Sequence, residues 1–226
     1  MAKVRQRSGA APSRRSNGNR PSDDLLLDAA RDVFHANGYH ATSMEAIAQQ
    51  ADATKPTLYS HFGSKEQLYR ACLVREADKL REWLFAAYES ASGLSMEEQV
   101  KADMVAFFRY ASEHPAGFGL LFGDVTSGPN AEIRDELVLS ISGQIAMRIR
   151  AYYTLRALPA PEQSAELLAS MLAGIAIHGG RQALALELPP HEVGLFATAL
   201  AHAGLKHLAP VHMENIDRTA SGLHAQ

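Results

Sequence analysis

The 226-residue chain has one cysteine, Cys72, so no disulfide can form within it, a usage that fits a reducing cytoplasm. It also lacks a long apolar run. The longest, "LLASMLAGIAI" at residues 167 to 177, falls far below the roughly 20 residues of a membrane-spanning helix, so no membrane is expected as a partner. The N-terminus carries charge with no apolar stretch behind it, which does not read as a secretory signal. No run of alternating β-branched residues is long enough for a strand. Reaction motifs are missing too: there is no phosphate-cradling Gly-rich loop, no Gly-x-Ser-x-Gly, no His-Glu-x-x-His, and Cys72 has no base beside it in sequence. His202, His207 and His212 recur every five residues, the wrong interval for one helical face, so neither a metal nor a cofactor is expected.

What is present is ordinary globular material, 46% hydrophobic and 21% charged. The net charge of −3 hides an asymmetry: residues 1–21 carry Lys3, Arg5, Arg7, Arg14, Arg15 and Arg20 with no acid, a balance of +6 that leaves −9 for the rest. Such an arm has almost nothing to bury and is expected to be disordered, either a solvated tail or a strand of cations lying on a polyanion.

Apolar residues recur at helical spacing through the remainder, predicting an all-α fold of about nine helices. Ser22 caps the first, with Leu25, Ala29 and Val33 as its stripe and Gly38 as its stop. Ser43 caps the second, over 44–50, and Ser64 with Gln67 forms a capping-box pattern opening a long strut towards residue 90. Further helices are expected at about 95–112, 115–123, 130–156, 161–187 and 190–207. The pattern divides into the arm at 1–21, a small domain at 22–70, a larger helical domain at 71–210 and a tail at 211–226.

Between the second helix and the strut lies "ATKPTLYSHFGSKEQL", residues 53–68, whose helix is barely two turns long and marginal alone in water. Thr54 can cap it, Pro56 is tolerated in its first turn, and Leu58 and Phe62 face inward. Lys55, Thr57, Tyr59, Ser60 and His61 all donate hydrogen bonds, and no acid occurs between Ala53 and Lys65. That surface suits an anion. The turn of about three residues at 51–53 matches a helix-turn-helix, and the helix starts at Thr42 and Ser43 and at Ser64 and Lys65 set free amides beside hydroxyls, where phosphates bind. A polar cap serving solubility alone would read similarly. The alternative is a recognition helix held by its neighbours in a major groove.

The segment "ARDVFHANGYHATSMEAIAQQADATKPTLYSHFGSKEQLYRACL", residues 30–73, resembles the TetR family of bacterial repressors. The resemblance implies an N-terminal three-helix DNA-binding domain followed by a larger domain for effector binding and dimerisation. It implies that Thr42, Lys55, Thr57, Tyr59, His61 and Lys65 contact DNA, with Tyr59, His61 and Lys65 on phosphate and Lys55 and Thr57 within reach of base edges; Ser43 belongs to the same surface. One departure is Asp52, where the family commonly has Gly; Asp tolerates the left-handed backbone better than most residues.

In the larger domain, Leu168, Leu172 and Ile175, then Ala165, Ala169 and Ala173, and finally Val193, Ala197 and Leu200, make the last two helices apolar on more than one side. Burial within one chain is one reading; the resemblance implies a homodimer through about 161–187 and 190–207. Large side chains at Met104, Phe107, Phe108, Phe118, Phe122, Met147 and Tyr152, with His178 or His114 as a polar handle, are expected either to fill the core or to line an apolar effector cavity. The expected function is a ligand-responsive dimeric repressor on a palindromic operator. The rivals are a small helical enzyme using His114, Asp124 and His178, and a DNA-binding protein with no ligand.

Overall fold

A computed structural model describes residues 22–123, 129–156, 158 and 161–223; the basic arm at 1–21 and Asp124 lie outside the described residues. Ten helices are present among them: α1 Asp23–Ala41, α2 Met44–Gln50, α3 Lys55–Phe62, α4 Lys65–Ser90, α5 Met96–Glu113, α6 Pro115–Phe122, α7 Ala131–Leu155, α8 Gln163–Ala185, α9 Pro190–His207 and α10 Pro210–Leu223. None is long and apolar enough to cross a membrane.

Local chemistry sets most boundaries. Side-chain oxygens of Ser22, Ser43, Thr54, Ser64 and Ser95 accept from amides in the first turns of α1 to α5. The full reciprocal box is made at Ser95 and Glu98, where the Ser95 amide also donates to Glu98 Oε2 at 3.0 Å. At Ser64, by contrast, it is the Ser64 hydroxyl that receives the Gln67 amide, at 3.1 Å. Gly38, at φ 75°, interrupts α1 three residues before its end, and Gly63, also at φ 75°, ends α3; a side chain would strain either turn.

Of the expected α1 stripe, Ala29 is buried and Val33 packs on the core, whereas Leu25 is exposed; Leu26, Leu27, Ala30 and Phe34 widen the buried face, against which α2, α4 and α6 pack. Their cluster continues without a break through Leu58, Leu73 and Leu84 to Phe118, Leu137 and Ala201, so one core joins the small domain to the large one. Helix α4 is the strut: Lys65 and Tyr88 stand 23 residues apart on it, which is roughly 35 Å of helix. Midway, the buried Glu76 carboxylate takes Arg75 Nη2 at 3.0 Å and Lys79 Nζ at 3.1 Å, while Arg75 also reaches Asp28 of α1 at 2.8 Å.

The tail expected from residue 211 is mostly helix. Met213 of α10 is buried against Ala165 and Ala169 of α8, and Asp217 accepts from the Ser164 amide at 2.8 Å and the Ser164 hydroxyl at 2.8 Å, closing the start of α8. Although burial pushes its carboxyl up, those bonds outweigh it and hold Asp217 below its ordinary value.

Candidate nucleic-acid interface and effector cavity

Residues Ala51 to Thr54 join α2 to α3, and Asp52 takes φ 47°, so the carboxylate residue does occupy the left-handed position of the turn. Thr54 then caps α3: its hydroxyl accepts from the Thr57 amide at 3.3 Å and lies 2.8 Å from the Thr57 hydroxyl. Leu58 is 0% exposed and Phe62 packs beside it on the shared core. Burial of Leu58 anchors a helix too short to persist alone.

The seven residues expected to touch DNA divide into two groups. Lys55, Tyr59 and Ser43 are exposed and Thr57 is partly so. Lys55 Nζ stands 3.6 Å from Glu45 Oε2, a loose surface pair that costs little to give up. The other three are held by protein. Thr42 is 3% exposed and its hydroxyl donates at 2.7 Å to the Gly38 carbonyl, so it closes the end of α1 rather than facing outward. Lys65 Nζ donates to the carbonyls of Tyr39 and Thr42, both at 3.0 Å, with its charge 4.5 Å from the centre of the Tyr39 ring. That cation satisfies orphan carbonyls at the C-terminus of α1 and locks α4 onto it. His61 Nδ1 lies 2.5 Å from Asp23 Oδ1, tying α3 to the start of α1. Sequence reasoning missed the partners Tyr39 and Asp23, because a residue type that grips phosphate grips a carbonyl or carboxylate equally well.

The effector candidates fare differently. An apolar cavity of about 60 Å³ lies between α4, α5, α7 and α8, and of the seven large side chains singled out Met104 and Phe107 line it. Its α7 wall is Val138, Ile141 and Ile145. Met147, two positions on, is turned by roughly 200° and is 53% exposed. Tyr152 falls beyond the cavity, its ring under the Arg156 guanidinium at 4.3 Å. Phe118 and Phe122 are core, their rings tilted against each other with centroids 5.2 Å apart, and Phe118 meets Phe107 at 5.7 Å. Phe108 lines a smaller recess beneath α8 instead. His178 is exposed on the outer face of α8, and His114 is exposed at the α5–α6 corner with its ring 4.7 Å from Tyr110, so neither is a stranded core polar group. Among the described residues no group of three or more His, Cys, Asp or Glu could hold a metal.

One polar residue that the sequence did not flag does line the cavity. Asp103 Oδ2 accepts from Arg148 Nη1 at 2.6 Å, and Arg148 Nε and Nη2 donate to Gln99 Oε1 at 3.2 and 2.8 Å. Burial pushes the Asp103 carboxyl up to about 6 despite Arg148. A carboxyl raised on folding binds its proton more tightly in the native state. Its stabilising contribution is therefore present below about pH 4 and lost as pH rises through 6. Against Asp103→Asn, which lacks this titration, the wild type should gain up to about 3 kcal/mol as pH falls from 7.5 to 4; denaturant melts of both proteins at each pH measure the difference.

The dimer expectation is also re-aimed. Ala169 and Ala173 are buried within the chain, as is Gly180, which sits against Phe118 and Phe107, so these small residues permit close packing inside one protomer. The outward stripe on α8 is instead Leu167, Met171, Ile175 and His178, and α9 adds Phe196, 75% exposed, and Leu200. Leu168 and Leu172 face inward.

Two short helices joined by a tight turn, a donor-rich outer face and a larger helical body around a cavity together define a helix-turn-helix architecture with a second helical domain. Residues 26–72 match the family model described as bacterial regulatory proteins, tetR family. Over those residues the chain resembles that family. It is 38% identical over 109 residues to the HTH-type transcriptional activator FasR of Mycolicibacterium smegmatis, covering 46% of this chain and 49% of that one. The chain spans about half the length of such curated relatives. Its fold matches a TetR-like transcriptional regulator from Rhodococcus sp. RHA1 with a TM-score of 0.68 and 28% identity, over 82% of this chain and 96% of that one. FadR from Bacillus subtilis, solved in complex with stearoyl-CoA, matches with a TM-score of 0.66 at 16% identity, over 80% of this chain and 97% of that one.

Proposed function

We propose that the protein is a dimeric, effector-responsive repressor that binds a palindromic operator through α3 and is released by a small, largely apolar molecule in the cavity between α4, α5, α7 and α8. The observation that carries the reading is the outer face of α3: Lys55, Thr57 and Tyr59 lie on a helix anchored by Leu58 and tied to α1 through His61 and Asp23. Two copies joined through the α8 and α9 stripes would set two such helices into successive major grooves about 34 Å apart. Thr42, His61 and Lys65 keep α3 at the angle that a groove requires; Ser43 and Tyr59 meet phosphate, and Lys55 and Thr57 meet base edges.

Release follows from the strut. A cavity of about 60 Å³ holds only a few waters or a short hydrocarbon segment, so a larger effector must part its walls, and Tyr88 on one wall belongs to the helix that carries Lys65 at its other end. The shift is a change of population whose size is limited by the effector's different affinity for the two states. FadR's bound stearoyl-CoA supports an effector with a long apolar part. FasR is named an activator, so the sign is tested separately, by a reporter gene whose expression rises on deleting a repressor and falls on deleting an activator.

Operator selection from random duplexes tests the division of roles. Tyr59→Phe should weaken all sequences by about tenfold, whereas Lys55→Ala or Thr57→Ala should change which bases are preferred at one position in each half-site. Identical sequence profiles for both kinds of variant would overturn the assignment.

A further inference from the structure

Resting on the effector reading above, the chemistry of the cavity wall narrows what the effector is. The walls are hydrocarbon except at Asp103 and Tyr88, a carboxylate that only accepts and a phenol. Asp103 spends one carboxylate oxygen on Arg148; the other, Oδ1, is buried with no hydrogen-bond partner. A buried acceptor of this kind costs more than most contacts return. Arg148 is not among the lining residues; it donates to Asp103 and Gln99, and its guanidinium lies 5.0 Å from the centre of the Tyr88 ring. The free capacity at Asp103 is therefore that of an acceptor.

We infer that the effector is a hydrocarbon body bearing one hydrogen-bond donor, a hydroxyl or a protonated amine, that pairs with Asp103 Oδ1. An acid or phosphate head would meet a carboxylate and find no cation among the lining residues. Donation to Oδ1 satisfies the stranded oxygen only in the liganded state, which gives the effector its differential affinity. A site built to hydrogen-bond a head group also rejects analogues that lack it, since its buried polar atom is then left unpaired. Body and head thus do separate work: the body opens the walls and the head chooses the molecule.

Octan-1-ol, octylamine and octanoate share one body and differ in the head, and titration calorimetry at pH 7.5 measures each against the full-length dimer. The wild type should bind the alcohol and the amine at least about tenfold more tightly than the acid. Asp103→Asn keeps the side-chain shape and loses the charge, so the amine's advantage over the acid should fall to within about threefold. A lead of octylamine over octanol assigns the donor to a cation; the reverse assigns it to a neutral hydroxyl. Equal binding of all three heads, octanoate as the tightest, or a preference untouched by Asp103→Asn would overturn the donor while leaving the cavity as the effector site. If none of the three binds, the effector reading falls with it.

Discussion

Phe196→Glu should leave each protomer folded and yet weaken operator binding by about 10²- to 10³-fold. In one copy of the chain Phe196 is 75% exposed on α9, with Leu200 one turn on and Leu167, Met171 and Ile175 aligned along α8. Scattered apolar residues on a surface need no explanation, but two aligned stripes of this length mark an association face. A charge there places an unpaired carboxylate at the centre of the seam, and like charges meet across a two-fold axis. The inner faces of α8 and α9 are untouched, since Ala169, Ala197 and Ala201 pack within the protomer. Sedimentation equilibrium should report a monomer with unchanged helical content. The operator loss arises because each reading head then binds alone, without the effective concentration that a joined partner supplies. Half-site binding should be unchanged, which separates loss of the dimer from damage to α3.

Leu58→Ala should produce the complementary result: a dimer that still forms and no longer reads DNA. Leu58 is the one residue of α3 that is fully buried, and its removal from the core costs about 2 to 5 kcal/mol. That cost falls on a helix of eight residues with nothing of its own to fall back on. Operator affinity should drop more than about 100-fold, whereas Lys55→Ala leaves the helix standing and drops it less. Helical content should fall by only a few residues' worth, because α4 to α10 keep their own packing. A Leu58→Ala protein that binds operator normally would mean that α3 does not depend on its anchor.

Much of this arrangement was legible in the residues. The caps at Ser22, Ser43, Thr54 and Ser64, the breaks at Gly38 and Gly63 and the two-turn length of α3 are local chemistry, and local chemistry is written in order along the chain. The left-handed turn at Asp52 is of the same kind. What was hidden depends on partners far away in sequence. Thr42, His61 and Lys65 carry donors that suit phosphate, and only the fold discloses that Gly38, Asp23 and Tyr39 already hold them. Large apolar residues mark a helix as buried without saying against what, so Phe118 and Phe122 drew attention that belonged to Val138, Ile141 and Leu172. Asp103 was passed over because one acid between apolar neighbours reads as a solvated face; across from it stands Arg148, 45 residues away. Helix α10 was missed for a similar reason, since Met213 and Asp217 acquire meaning only once they meet α8.

The central claim is that α3 is a short helix braced for duplex DNA, and its most direct measurement is the salt dependence of binding to a selected duplex. With purified full-length protein, log Kd should rise linearly with log salt, and Lys55→Ala should lower the affinity for the selected duplex relative to a random one. Protein that retains no duplex at any salt concentration, or whose retention is indifferent to salt and to Lys55, would contradict it.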